Sequence, residues 1–286
     1  MTKLMITSGL RYCTAFAICT QLMACIDENS NPNPIDIDSP DSGAYAVATI
    51  SGRIFDLEAL VGRDPNDTAT NSDAITGAEV FLLDNPSIIS PRSTAPRGEY
   101  RLDGVPIGSK QVIVVSIPRP NPTGTEENTV TSESETLTTS PEIVTTIRST
   151  PFIVSENTHD LDLFAIRKNS TLLSQAASDG MDYTTTGLHV GLIVSKQQSA
   201  VTGATIDTLP KVPQYAIDRS GTNLVGFDYS LTEDGPTHEF GGFLVNSNSA
   251  KTAVIAIQGA KGNTVFDPLT VLLAPNQVSY GIHQVN

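Results

Sequence analysis

The chain has 286 residues, a formal net charge of −14 and only 17% charged residues, with no Trp and abundant Thr, Ser, Val and Ile. An acidic balance of this size disfavours nucleic acid and anionic lipid headgroups as partners, and the composition is that of β-sheet rather than of a helical bundle. All three cysteines, Cys13, Cys19 and Cys25, lie near the N-terminus; beyond Cys25 no disulfide can form, so the fold is stabilised by burial alone, which favours domains of about 100 residues or more.

The first segment is a short cationic start (Lys3, Arg11) and an apolar run over 12–24 that ends on Ala24, the shape of a secretory signal peptide. The run is too short to span a bilayer, which needs roughly 20 residues. The leader carries +2 and no acids, so without it the net charge of −14 becomes −16. Leu22-Met23-Ala24-Cys25 resembles the lipobox of bacterial lipoproteins. The resemblance implies recognition of Leu22, Met23 and Ala24 by a signal peptidase, cleavage before Cys25, a diacylglycerol on its thiol and acylation of the new amine. Each buried CH₂ of such chains contributes roughly 0.8 kcal/mol, so the anchor is effectively permanent. Ile26 rather than Asp after the cysteine implies, by analogy with sorting rules, the outer membrane, on its periplasmic or surface face. Asp27-Glu28 resembles the acidic surface-export signal of some Bacteroidetes lipoproteins, and equally reads as a soluble linker without an address.

Residues 25–44 are rich in Asn, Pro and Asp and low in hydrophobicity, an extended tether. From Tyr45 the pattern turns to period two, with Val47, Thr49, Ser51, Arg53 and Phe55 alternating against Ala46, Ala48, Ile50, Gly52 and Ile54. Further strands are expected within 75–83, 98–102 and 110–117, with a turn at Asp103-Gly104 and no helical period in this span. A mobile Ser/Thr/Glu-rich loop is expected over 118–142, and closing strands over 143–154 and 160–166. Asp160 and Asp162 alternate with Leu161 and Leu163, which places them on the exposed face of one strand as edge protection.

Four motifs in order carry a second resemblance. Ile50-Ser51-Gly52-Arg53-Ile54-Phe55-Asp56, Thr76-Gly77-Ala78-Glu79-Val80, Gly98-Glu99-Tyr100-Arg101-Leu102 and Val105-Pro106-Ile107-Gly108 resemble the carboxypeptidase regulatory-like domain. That family implies an all-β fold, a Greek-key antiparallel β-sandwich of about seven strands, and no peptidase activity of its own. In it Gly52, Gly77, Ala78, Gly98, Tyr100, Pro106 and Gly108 are fold-defining: the glycines admit close approach and tight turns, Tyr100 supplies a large core side chain, and Pro106 and Gly108 restrain a loop.

The second half repeats the first in outline. Residues 201–206 echo 75–80, residues 240–246 echo 98–102, and 250–257 stand where 110–117 stood, with Phe243 in the place of Tyr100. The expected organisation is thus a leader (1–24), the tether (25–44), one sandwich (45–168), a connector (169–183) with a turn or two of helix within 172–177, and a second sandwich (184–286).

Candidate chemistry is sparse. His159, His189, His238 and His283 are far apart in sequence and in no metal-ligand spacing; His189 and His283 read as ordinary strand residues. No thiol nucleophile remains, and no G-x-S-x-G, P-loop or G-x-G-x-x-G occurs. Asp64, Asp67 and Asp73 could offer oxygens to Ca²⁺ but lack the D-x-D-x-D-G register, so a solvated turn is expected. The expectation is therefore no enzyme, no catalytic residue, no metal and no cofactor: a lipid-anchored envelope protein whose sandwiches serve as structural or protein-binding modules, with the membrane and an envelope protein as partners. The alternative is a carbohydrate-binding surface lipoprotein that recognises a glycan through Tyr183, Tyr215, Tyr229 or Tyr280, whose default roles are in the core.

Overall fold

The computed structural model describes residues 46–61, 73–117, 142–223 and 226–285. The leader with Leu22, Met23, Ala24 and Cys25, the tether, Asp64 and Asp67, and the loop as far as 141 lie outside the described residues.

The first half contributes β1 (Val47–Asp56), α1 (Leu57–Val61), β2 (Glu79–Leu82), β3 (Glu99–Pro106), β4 (Lys110–Ser116), β5 (Thr145–Ile153) and β6 (Leu163–Ala165). After α2 (Thr171–Ser178) come β7 (Leu188–Val194), β8 (Thr205–Leu209), β9 (Gln214–Asn223), β10 (Gly226–Glu233), β11 (Gly242–Asn246), β12 (Ala253–Lys261), β13 (Thr264–Leu273) and β14 (Gln277–Gln284). The fold is all-β and sandwich-like, with sheets β3-β1-β6, β8-β12-β13 and an eight-stranded sheet β10-β9-β11-β7-β14-β5-β4-β2.

The two halves share one pairing scheme. β1 pairs antiparallel with β3 and parallel with β6, and β7 pairs antiparallel with β11 and parallel with β14. β4 lies antiparallel between β2 and β5, as β12 does between β8 and β13. The second half adds the hairpin β9-β10 beside β11. Parallel pairs qualify the antiparallel expectation: the last strand of each half returns from the opposite sheet and lies alongside the first in the same direction.

A third parallel pair, β14 with β5, joins the halves into the eight-stranded sheet. Paired residues share a face of a sheet, and Val115, Thr146, Val278 and Leu188 are successive partners across it. Val115 belongs to the core under β3-β1-β6, while Val278 and Leu188 belong to the core under α1 and α2. The small sheet and the two helices therefore cover one face side by side. The opposite face carries His189, Phe243 and Val245 and is covered by β8-β12-β13.

Local chemistry explains where the elements depart from expectation. Asp103-Gly104 is not a turn: Ile50 pairs with Leu102 and Ala48 with Val105, so two residues of β3 oppose Thr49, a bulge with Gly104 at φ +76°. α1 appears where no helical period was expected, since five residues are too few to display one. Asp56 Oδ1 accepts the Glu58 N–H at 3.1 Å, and Leu57 and Val61 are buried in the second core. α2 is capped by Ser170, whose Oγ accepts the Leu173 N–H at 3.1 Å, and ends where Met181 and Gly180 donate to Ala176 and Ala177 at 2.8 and 3.0 Å, a Schellman motif. Asp160, at φ +60°, and Asp162, 3.8 Å from Arg53, both precede β6, so the two do not share the exposed face of one strand.

Candidate functional site

The motif residues of the first half lie at both ends of the β1-β3 pair, Gly52, Gly98 and Tyr100 at one and Pro106 and Gly108 at the other. Gly52 faces the backbone of Leu161 so closely that a Cβ would stand 2.2 Å from its carbonyl oxygen. Tyr100, buried and opposite Gly52, donates its hydroxyl to that same oxygen at 2.7 Å. Burial pushes its phenol pKa upward, so the hydroxyl keeps its proton. Pro106 pairs with Val47 at the strand ends, and Gly108 donates its N–H to Val154 O at 2.8 Å.

A second constellation fixes the segment between β2 and β3. Gly77 N–H donates to Ser93 O at 2.8 Å, Ser93 N–H to Ala78 O at 2.7 Å, Ala78 N–H to Ser93 Oγ at 3.0 Å, and Ser93 Oγ–H to Ile75 O at 3.0 Å. Thr237 makes the same four bonds with Gly203, Ala204 and Val201, at 2.6, 2.8, 3.0 and 2.7 Å in that order. Gly98 and Gly241, at φ +67° and +65°, each accept an N–H from the first strand of their half, Ile54 and Ile193, at 2.9 Å. The wiring is one motif used twice, and it puts Gly52 level with Gly191 and Tyr100 level with Phe243.

Around the first copy lies a cleft of about 530 Å³ lined by Arg53, Arg92, Arg97 and Arg101 together with Glu99 and Asp160. Arg53 and Arg101 rise from the outer face of the β1-β3 pair, in register with Glu99 and Ser51. Arg53 is 5.0 Å from the centre of the Phe55 ring, and Arg101 holds Asp103 through Nε at 2.9 and 3.1 Å. Arg92 and Arg97 are exposed on the segment that Ser93 anchors. Around the second copy the corresponding outer face carries Val190, Leu192, Gly242 and Leu244; Val190 and Leu244 are buried in the core that α1 and α2 close.

On the opposite face of the central sheet, two histidines separated by 94 residues meet: His283 Nε2 lies 3.5 Å from His189 Nε2. His189 Nδ1 bonds Ser279 Oγ at 2.9 Å, and Phe243 packs on both imidazoles with ring centroids 5.1 and 5.9 Å away. Burial lowers the His283 pKa to about 4 and drives that of His189 well below its ordinary value, so both are neutral. They are strand residues, as their alternation predicts; their meeting could not be read from the sequence.

His159 Nδ1 lies 3.1 Å from Ser51 Oγ, and His238 lies 3.9 Å from Asp218. Among the described residues no three His, Cys, Asp or Glu side chains converge as metal ligands. Tyr229 and Tyr280 are buried in the second core, with Tyr183 and Tyr215 packed against it.

No protein-family model matches the chain, and no curated protein matches it. Among solved structures, the shaft pilin SpaA of Lactobacillus rhamnosus GG is 10% identical, covering 84% of this chain and 98% of that one, with a TM-score of 0.22. A streptococcal ancillary pilin is 11% identical over 84% of this chain and 69% of that one, TM-score 0.22. The Bacillus anthracis TIE protein is 12% identical over 84% of this chain and 34% of that one, TM-score 0.23. Likeness at this level says nothing of what this chain does.

Proposed function

We propose that this is a non-enzymatic, lipid-anchored protein of a bacterial cell envelope, whose two fused sandwiches, of carboxypeptidase regulatory-like type, act as a structural or protein-binding module. The observation that carries the reading is the weld between the halves. β14 hydrogen-bonds to both β5 and β7, so the repeats share an eight-stranded sheet with apolar layers on both faces. Two sandwiches joined only by a linker would hinge; two that share a sheet form a stiff body suited to holding a partner at a fixed place. The lipobox with Cys25 and the acidic tether ahead of β1 support attachment of that body to a membrane, with the outer membrane as the expected site.

Mass spectrometry of the protein from its native host tests the anchor. The expected N-terminus is Cys25 carrying a diacylglyceryl thioether and an acylated amine, and Cys25→Ser is expected to move the protein from the membrane fraction to the soluble one. An unmodified terminus on freely soluble wild-type protein overturns the anchored reading. Cross-linking in intact cells tests the module: a defined envelope partner is expected, and its absence counts against a binding role.

A further inference from the structure

We propose that the arginine-lined cleft on the outer face of the β1-β3 pair binds a saccharide that carries carboxylate groups. The proposal goes beyond the module reading and does not rest on lipidation of Cys25.

Charge is the first reason. The chain carries −14, yet four of its 17 Lys and Arg residues face this one cleft. Arg53 and Arg101 lie against Asp162 and Asp103, so the pull on an anion comes from Arg92 and Arg97, two exposed guanidiniums at the cleft of an otherwise acidic protein. Arg rather than Lys is the residue in all four places, and its planar fork matches a carboxylate with two parallel bonds.

Rigidity is the second. Arg92 and Arg97 bracket a segment whose backbone is fixed through Ser93 on one side and by the Gly98 N–H to Thr94 O bond (2.7 Å) on the other. Among the described residues neither has an ion-pair partner, whereas Arg53 and Arg101 are steadied by Asp162 and Asp103. The cleft thus sets Arg101, hydrogen-bonded to Asp103, and Arg53, 3.8 Å from Asp162, beside two unengaged guanidiniums on a fixed backbone, so capturing a ligand must order the side chains of Arg92 and Arg97 but not the segment that carries them.

The remaining lining chooses among anions. Glu99 and Asp160 also face the cleft, with Ser51 and Thr94. Carboxylates repel an unbroken run of phosphates or acidic side chains but accept hydrogen bonds from hydroxyl groups. A peptide would further want an apolar slot for an anchoring side chain, and here the large aromatic, Tyr100, is turned into the core. A ligand that presents both hydroxyls and carboxylates meets every kind of group in the cleft.

The comparison of the two copies gives a third reason. The same outer face in the second half is apolar and covered by α1 and α2, so the backbone motif requires neither arginines nor exposure.

The test uses the full chain extracted in detergent, titrated with short oligogalacturonides at physiological ionic strength and followed by calorimetry. Binding is expected to weaken as salt rises and to be lost when the same oligosaccharides are methyl-esterified. Arg92→Ser combined with Arg97→Ser, both exposed and outside the core, is expected to weaken binding roughly tenfold while the thermal unfolding midpoint stays unchanged. Failure to bind oligogalacturonides, equal binding by the double variant, or tighter binding of polyglutamate than of the saccharide each overturns the proposal.

Discussion

The two halves of this protein use the same hydrogen-bond wiring under opposite surfaces. In the first, the outer face of the opening strand and its antiparallel partner carries Ser51, Arg53, Glu99 and Arg101 and is open; in the second the same places hold Val190, Leu192, Gly242 and Leu244 beneath α1 and α2. What the halves have in common is what points inward or binds backbone: the Ser93 and Thr237 anchors, Gly98 and Gly241, Tyr100 and Phe243. The lesson is that the backbone scheme is specified by a handful of inward positions, and the outward ones take whatever chemistry their neighbours demand. Glu58 shows how the cover is held on the second face: its Oε1 accepts from Ser170 Oγ, Thr171 Oγ1 and Leu172 N–H at 2.9, 2.8 and 2.7 Å, tying α1 to the start of α2.

If the wiring is shared, breaking it should cost the same in both halves. Gly98→Ala and Gly241→Ala form the sharpest pair. Each places a side chain at a left-handed backbone position, and the new Cβ would lie 2.8 Å from Ile54 O in one case and 2.5 Å from Ile193 O in the other. Each substitution is expected to cost about 3 kcal/mol or more, read as a fall in the urea midpoint. A large loss in one variant beside a mild one in the other would show that the two motifs are not energetically equivalent.

The histidine pair distinguishes the halves by pH. In the first half β6 sets Leu163 beside Ile54; in the second β14 sets His283 beside Ile193. The folded state holds both buried imidazoles neutral, with His283 titrating at about 4 against an ordinary value of 6.5. Below pH 6.5 the unfolded chain takes up protons that the folded chain refuses. The stabilisation is therefore complete above pH 6.5 and is lost as pH falls, the His283 share being gone near pH 4, a loss on the order of 3 kcal/mol for that residue. His283→Leu, which copies the first half, is expected to flatten the stability curve between pH 6.5 and 4, leaving the part due to His189. An unchanged slope in urea melts across that window would refute the assignment.

Ser93→Ala and Thr237→Val come next. Each strips the Ala78 or Ala204 N–H of its partner in the core, an expected cost of about 2 kcal/mol in either half, again measured by urea unfolding. These anchors also show where the sequence stops being legible. Strand alternation, the Gly77-Ala78 and Gly98-x-Tyr100 motifs and their echoes at Gly203-Ala204 and Phe243 can all be read from the residues. The equivalence of Ser93 and Thr237 cannot, because they lie 15 and 33 residues beyond their alanine partners, the hairpin β9-β10 having been inserted between. The β14-β5 weld and the meeting of His189 with His283 are equally hidden, since each joins distant segments whose register no local pattern encodes. The four arginines of the cleft come from three separate segments, and only the bulged pairing of β1 with β3 and the Ser93 anchor bring them to one place.

Tyr100 and Phe243 set the smallest difference. Each pairs with a glycine on its neighbouring strand, Gly52 or Gly191. Over Gly191 the space belongs to the Phe243 ring, whose Cζ would lie 1.9 Å from an added Cβ; over Gly52 it belongs to the Leu161 backbone, and the Tyr100 hydroxyl reaches that backbone instead. The hydroxyl is thus the first half's substitute for the close ring contact of the second. Tyr100→Phe leaves the Leu161 carbonyl without that donor and is expected to cost about 1 kcal/mol. The urea midpoint reads the loss. A change of no more than a few tenths would mean that water replaces the hydroxyl at Leu161, and that the first half is closed by packing alone, as the second is.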